Sequence, residues 1–158
     1  MTYVLILGLV LAVTFGGVVL RGAPYLPTLK KQGLAALELL DLKPGQTLLE
    51  LGSGDGAVLV LAARAGLNVV GVELNPFLVA VSWLRTWRYR KQVRIIWGDF
   101  WLVKWPECDG VFAFLLDKFM PKLDERMQTV KKPLVSFAFK TPGRKIDVEK
   151  SGVYLYRY

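Results

Sequence analysis

Glu50-Leu51-Gly52-Ser53-Gly54-Asp55-Gly56 is the stretch on which the fold turns. Glycine falls at every second position through Gly56. A short apolar run, Thr47 to Leu51, precedes it, and a longer one, Ala57 to Ala65, follows. The first reads as a buried strand and the second as a helix. Glycines between a strand and a helix let the backbone pass close to a ligand and offer free amides at the helix N-terminus. The spacing is not the dinucleotide pattern G-x-G-x-x-G. A carboxylate at the strand end, Glu50, would also repel a pyrophosphate, and it suits a ligand that carries an ammonium group.

A second strand, Asn68 to Val72, ends at Glu73, and a third, Val93 to Trp97, runs into Gly98-Asp99-Phe100. A carboxylate at the position of Glu73 can accept from both hydroxyls of a ribose. Asp99 can accept an adenine amino proton, while Leu74 and Phe100 offer apolar faces to the ring. Three acidic strand ends in this order make a site for ribose, adenine and an amino-acid tail. Further on, Gly110 to Leu116, Pro133 to Phe139 and Val153 to Tyr158 read as strands, Leu123 to Val130 as a helix, and Thr141 to Ser151 as a polar loop. Upstream, Thr28 can N-cap a helix running to about Leu40, with Leu29, Leu34, Leu37 and Leu40 at helical spacing. These elements predict an α/β, Rossmann-like, doubly wound and mostly parallel sheet of about six strands. The ligand belongs at the carboxyl ends, where strand order reverses.

The 158 residues suit one domain. With 53% of residues apolar and 22% charged, a disordered chain is excluded. There is no histidine, and Cys108 is the only cysteine. Neither a Ser-His nor a Cys-His nucleophile can be built, nor a His-containing zinc site, nor an intrachain disulfide. No metal is expected, and if the chain is an enzyme, a bound cofactor carries the reactivity and the protein mainly positions it. Cys108 reads as a buried thiol beside a strand.

Met1 to Leu20 contain no charged side chain. Twenty helical residues span roughly 30 Å, the thickness of a bilayer's hydrocarbon core. Nothing basic precedes the run and a poor cleavage site follows it, so a membrane anchor is preferred to a signal peptide or a core helix. The expected organisation is an anchor helix at 1–22, a linker and helix at 23–46, and a ligand-binding domain at 47–158. Arg21, Lys30 and Lys31 place that domain on the cytoplasmic side of a single-pass protein. A second basic stretch, Trp83 to Arg94, interleaves Arg85, Arg88, Arg90, Lys91 and Arg94 with Trp83, Trp87 and Tyr89. Contact with lipid headgroups, a solvated helix face and nucleic-acid binding all remain open for it, with nucleic acid the least favoured.

The glycine loop, Glu73 and Gly98-Asp99 resemble the first motifs of class I S-adenosylmethionine-dependent methyltransferases. With Pro24-Tyr25-Leu26-Pro27-Thr28, Val72-Glu73-Leu74-Asn75-Pro76, Ser82, Trp87-Arg88 and the tail Gly152-Val153-Tyr154-Leu155-Tyr156, the resemblance narrows. The chain is then similar to the membrane-anchored protein-lysine methyltransferases that in mitochondria modify the adenine nucleotide translocase and the ATP synthase c subunit. That resemblance implies S-adenosylmethionine as cofactor and S-adenosylhomocysteine as product. It implies that Glu50, Gly52, Ser53, Gly54 and Gly56 form the loop around the methionine part, that Glu73 binds ribose and that Asp99 reads adenine. Tyr25 and Thr28 belong either to a lid over the cofactor or to a plain helix entry. Asp117, after the strand from Gly110, is the candidate general base, and an exposed turn residue is its bland alternative. The implied substrate is a lysine on a membrane-associated protein, facing the matrix if the protein is mitochondrial. A methyltransferase of small molecules or lipid headgroups, or an inactive cofactor-binding scaffold, are the alternatives.

Overall fold

The computed structural model describes residues 28–158. Helix α1 (Lys30–Leu40) leads into β1 (Thr47–Leu51), α2 (Ala57–Arg64), β2 (Asn68–Glu73), α3 (Pro76–Thr86) and β3 (Val93–Trp97). Then come β4 (Gly110–Ala113), α4 (Met120–Val130), β5 (Leu134–Phe137), β6 (Val148–Lys150) and β7 (Val153–Tyr156), with 3-10 turns at Trp87–Tyr89 and Asp117–Phe119. The seven strands lie in the order β3-β2-β1-β4-β5-β7-β6. The first five are parallel, β7 runs antiparallel to β5, and β6 antiparallel to β7. From β1 the chain winds outward first through β2 and β3 and then through β4 and β5. The reversal therefore falls between β1 and β4, as the doubly wound reading requires.

The inner strands are buried on both faces, which explains their near-continuous apolar sequences. Leu48, Val69, Phe112 and Val135 face α1 and α2, packing on Ala36, Leu40, Val58, Leu59 and Ala62. Leu49, Val70, Val111 and Leu134 face α4 through Met120, Leu123 and Met127. That second face carries a single helix. After β3 the chain runs without a helix through Phe100, Trp101, Val103 and Trp105, which close this core in a helix's place.

Several expectations need correction. The sheet has seven strands, and β6 occupies part of the stretch expected to be a polar loop. Val148, Glu149 and Lys150 are all exposed, so no apolar alternation marks them. The strand exists because Ser151 and Gly152, at φ 54° and 74°, make a two-residue hairpin turn onto β7. Thr28 does not cap α1: Leu29 holds the cap position and no side chain caps it. Leu29 and Leu34 are exposed, because the small residues Gly33 and Ala36 set the packing face instead. A Cβ on Gly33 would come within 2.8 Å of Leu61 Cδ1. β4 ends at Ala113 rather than Leu116, and β5 ends at Phe137, where Ala138 turns the backbone at φ 66°. Helix α4 begins earlier than expected, at Met120, with Pro121 in its first turn. Cys108 is buried as expected, and burial pushes its thiol up to about 11. The expected transmembrane helix and Tyr25 lie outside the described residues. Among those described, no helix is long and apolar enough to cross a membrane.

Candidate active site

The glycine loop leaves β1 at the carboxyl edge of the sheet, and its backbone is already folded. Gly52 and Ser53 donate their amides to the Val72 carbonyl at 2.8 and 3.1 Å, and Gly56 donates to the Ser53 carbonyl at 3.0 Å. The Ala57 amide donates to Asp55 Oδ1 at 3.1 Å. The amides of Gly52, Ser53 and Gly56 are thus spent inside the protein, while those of Val58 and Leu59 in the first turn of α2 meet no acceptor among the described residues. What stays open is space. Gly52 is exposed, at φ 75°, and a Cβ built there meets nothing within 4 Å. Gly56, at φ 78°, serves a different purpose, because a Cβ would lie 3.2 Å from Ser82 Cα on α3 and closer still to its hydroxyl. The first glycine leaves space open and the last lets a helix approach.

Two glutamates end the neighbouring strands. Glu50 is 4% exposed, and its Oε2 has no hydrogen-bond partner among the described residues. Burial, reinforced by the charges of Asp55 and Glu73, holds its carboxyl well above the usual range. An unmatched buried carboxylate is costly, and an ammonium group on a ligand is the chemistry that would match it. Glu73, also buried, accepts from the Gly54 amide through Oε2 and from the Asn75 amide through Oε1, each at 2.8 Å. A carboxylate accepts about four hydrogen bonds, so Glu73 keeps about half its capacity for ligand hydroxyls. Asn75 then caps α3 by accepting from the Phe77 amide, with Pro76 in the first turn.

Asp99 comes two residues after Trp97, the register partner of Glu73, so the second and third strand ends are adjacent. Its Oδ1 accepts from the Trp101 amide at 2.8 Å and its carbonyl accepts from Leu102 and Val103. Leu74 and Phe100 are both half-buried. Trp97 reaches across to donate its indole N–H to the Leu74 carbonyl at 3.0 Å.

Other contributors escaped the reading of the sequence. Arg126, on α4, donates to the carbonyls of Phe100, Trp101 and Val103 and lies 4.1 Å over the Trp105 ring. It holds the loop that replaces a helix, and nothing local links it to residues 23–26 positions away. Arg85 pairs with Asp55, tying α3 to the glycine loop. Gly71 lets β2 pass beneath Ser53, whose Cβ would lie 2.8 Å from any side-chain carbon there. A glycine inside a strand was the available signal. Phe114, Phe137 and Phe139 cluster at the ends of β4 and β5, with ring centroids 4.6 Å apart for the first pair. Asp117 is exposed, and its side chain makes no hydrogen bond or ion pair among the described residues. Thr28 is half-buried immediately ahead of α1.

Comparison with known proteins fits this geometry. Residues 50–148 match the family model described as the ANTKMT methyltransferase domain. The chain is 35% identical over 108 residues to the lysine N-methyltransferase of the ATP synthase c subunit from Xenopus laevis, covering 67% of this chain and 47% of that protein. It is 30% identical over 149 residues to a protein-lysine N-methyltransferase of Saccharolobus islandicus, covering 84% and 92%. Among solved structures, an RNA methyltransferase from Salinibacter ruber in complex with S-adenosyl-L-homocysteine superposes with a TM-score of 0.76. Its identity to the chain is 30%, over 84% of this chain and 92% of that one. The chain spans about half the length of the animal lysine methyltransferases it matches.

Proposed function

Because the chain belongs to the family of the ANTKMT methyltransferase domain, we propose that it is an S-adenosylmethionine-dependent methyltransferase that N-methylates a lysine on a membrane-associated protein. The observation that carries the reading is the buried Glu50 carboxylate, whose Oε2 has no partner among the described residues, beside the open face of Gly52. The donor set fits the cofactor. Glu50 would take the ammonium group of its methionine part, Glu73 the ribose hydroxyls, and Asp99 the adenine amino group between Leu74 and Phe100. Bound there, S-adenosylmethionine would supply a methyl group already activated by its sulfonium.

The protein then has to position a neutral amine and exclude water. A lysine with an ordinary pKa of about 10.4 costs about 4–5 kcal/mol to neutralise at pH 7. Burial in an apolar slot can produce a shift of that size. Phe114, Phe137 and Phe139, at the carboxyl ends of the strands beyond the switch point, are the aromatic surface available for such a slot. With no histidine in the chain, the departing proton goes to water or to a carboxylate, for which Asp117 is the candidate. Two matched relatives are named for membrane-associated substrates, the ATP synthase c subunit and the adenine nucleotide translocase, and this supports a substrate of that kind. The uncharged run from Met1 to Leu20 supports a single-pass anchor, and Arg21, Lys30 and Lys31 after it support placing the domain on the cytoplasmic side, or on the matrix side in a mitochondrion.

The test is incubation of the full chain with methyl-labelled S-adenosylmethionine and membranes, followed by separation of protein from lipid. Label is expected in a protein band, on lysine after hydrolysis. Label confined to lipid would replace the proposed substrate with a headgroup. No label, with the cofactor still bound in a titration, would leave a cofactor-binding scaffold.

A further inference from the structure

Helix α3 has two opposed faces. Leu78, Ser82 and Thr86, spaced by four, are its buried residues. Ser82 abuts Gly56 at the start of α2, and Tyr89 accepts from Arg64 at the end of α2 at 3.1 Å. The segment therefore lies along α2 and turns its other side outward. On that side Trp83, Leu84 and Trp87 are 53%, 69% and 47% exposed. The two indoles meet edge to face at 4.8 Å between centroids.

The charge around this apolar stripe is one-sided. From Pro76 to Gly98 there is no Asp or Glu, while Arg85, Arg88, Arg90, Lys91 and Arg94 all fall within that span. Only Arg85 is paired with a carboxylate among the described residues, through Asp55. Arg90 donates to the Trp87 carbonyl and lies 5.1 Å over its ring, and Arg88, Lys91 and Arg94 make no ion pair there.

We propose that α3 and the turn after it form a docking face for an anionic lipid surface. Trp83, Leu84 and Trp87 lie at headgroup depth and Arg88, Arg90 and Lys91 lie against the phosphates. Indoles favour the membrane–water interface, and cations beside them are drawn to acidic headgroups. A bilayer satisfies both halves of the surface at once. A nucleic acid would match the cations but has no use for Leu84, the most exposed of the three. It would also have to compete for Trp87, whose ring Arg90 already covers. The inference extends the membrane-proximity part of the proposed function. On that reading of the N-terminus, nine residues separate Leu20 from Lys30, and they reach at most ~30 Å. The whole domain is then kept close to the lipid. Docking does not depend on methyl transfer.

All five tryptophans lie between Trp83 and Trp105, so insertion of the N-terminal run is silent in tryptophan fluorescence. The full chain is placed in phosphatidylcholine vesicles with or without phosphatidylglycerol, with bromine on the upper acyl chain as the quencher. Quenching is expected in the phosphatidylglycerol vesicles, reversed by high salt, and weak in phosphatidylcholine alone. The W83F/W87F double variant should lose it. Each cation beside an anionic surface contributes about five-fold to binding, so R88Q/R90Q/K91Q should weaken docking about a hundred-fold. These side chains are exposed, and the triple variant provides the test should the tryptophan pair prove necessary for folding. The proposal is overturned if W83F/W87F is quenched as strongly as the parent protein, or if the parent is not quenched at all. It is also overturned if quenching ignores lipid charge and salt, or if a fluorescent single-stranded RNA binds through the same three cations while lipid does not quench.

Discussion

On the β1–β2 side of the crevice the backbone holds itself. Gly52, Ser53, Gly54 and Gly56 spend their amides on Val72, Glu73 and Ser53, and three glycines adopt positive φ within five residues. On the β3–β4 side the chain from Phe100 to Trp105 has no helix of its own. It is held by Arg126, which reaches from α4 to three of its carbonyls. The contrast shows two ways to fix the walls of the candidate site. One is a set of backbone hydrogen bonds shared by several loop residues and the end of β2, so no single side chain decides it. The other leans on one long side chain that joins three carbonyls, so its substitution should loosen that wall and spare the glycine loop.

The most disruptive way to probe the first wall is Gly56→Ala. The substitution meets a left-handed backbone and the body of Ser82 at once, so strain and overpacking add to about 3 kcal/mol. For a domain of this size the midpoint of thermal unfolding should fall roughly 6–12 °C by calorimetry. Gly52→Ala is the control, because the same left-handed backbone costs about 1 kcal/mol with no neighbour to strike. It should fall only a few degrees yet lose cofactor affinity in a titration. If both glycines proved equal in stability, the division between admitting a helix and admitting a ligand would collapse.

On the opposite wall, Arg126→Met removes three hydrogen bonds from a charged donor and the cover over Trp105, at a cost of about 2 kcal/mol. Hydrogen exchange should accelerate from Phe100 to Trp105 and leave Gly52 to Gly56 unchanged. Protection lost equally in both segments would mean that the walls are one cooperative unit.

Glu50→Gln separates stability from binding. Burial raises the Glu50 pKa above its ordinary 4.5, so the folded state binds more protons than the unfolded state. Native stability from this group is therefore lost as pH rises above about 4.5 and is recovered as pH falls towards that value. Without ligand, Glu50→Gln should be the more stable protein at pH 7, by about 1 kcal/mol, and the gain should shrink in acid. Cofactor affinity should fall about ten- to a hundred-fold, the scale of a charge-assisted hydrogen bond. A variant less stable at neutral pH would show that the carboxylate has an internal partner.

How legible each wall was follows from the same contrast. The glycine loop, the acidic strand ends and the parallel sheet are written in adjacent residues, and periodicity and spacing expose them. Even so, the loop amides turned out to be spent internally, because Val72 and Glu73 lie one strand away. Arg126 carries no local mark, and neither does the Asp55–Arg85 pair, 30 residues apart. β6 was invisible because an edge strand needs no apolar face, although Ser151-Gly152 announced its turn. The packing side of α1 misled for the opposite reason. Leucines at helical spacing drew attention from Gly33 and Ala36, whose small size lets α2 approach.

Asp117 tests whether the second wall does chemistry at all. It follows β4 by four residues, is exposed, and its side chain is bound to nothing among the described residues. A general base contributes about 10²–10⁴-fold to rate and has to be held within hydrogen-bond reach of the proton it takes. A solvated, unanchored carboxylate lacks the orientation that would give that factor. On the proposed function, burial of the substrate lysine against the phenylalanine cluster would meet the larger part of the demand, and water can accept the proton. Asp117→Asn should therefore change kcat by less than about ten-fold, well short of a base's contribution, with the unfolding midpoint unmoved. Phe139→Ala should cost more, through a raised pH optimum as the amine loses its apolar surroundings. A hundred-fold fall for Asp117→Asn at constant KM would reverse that ranking and place the base on the loop after β4.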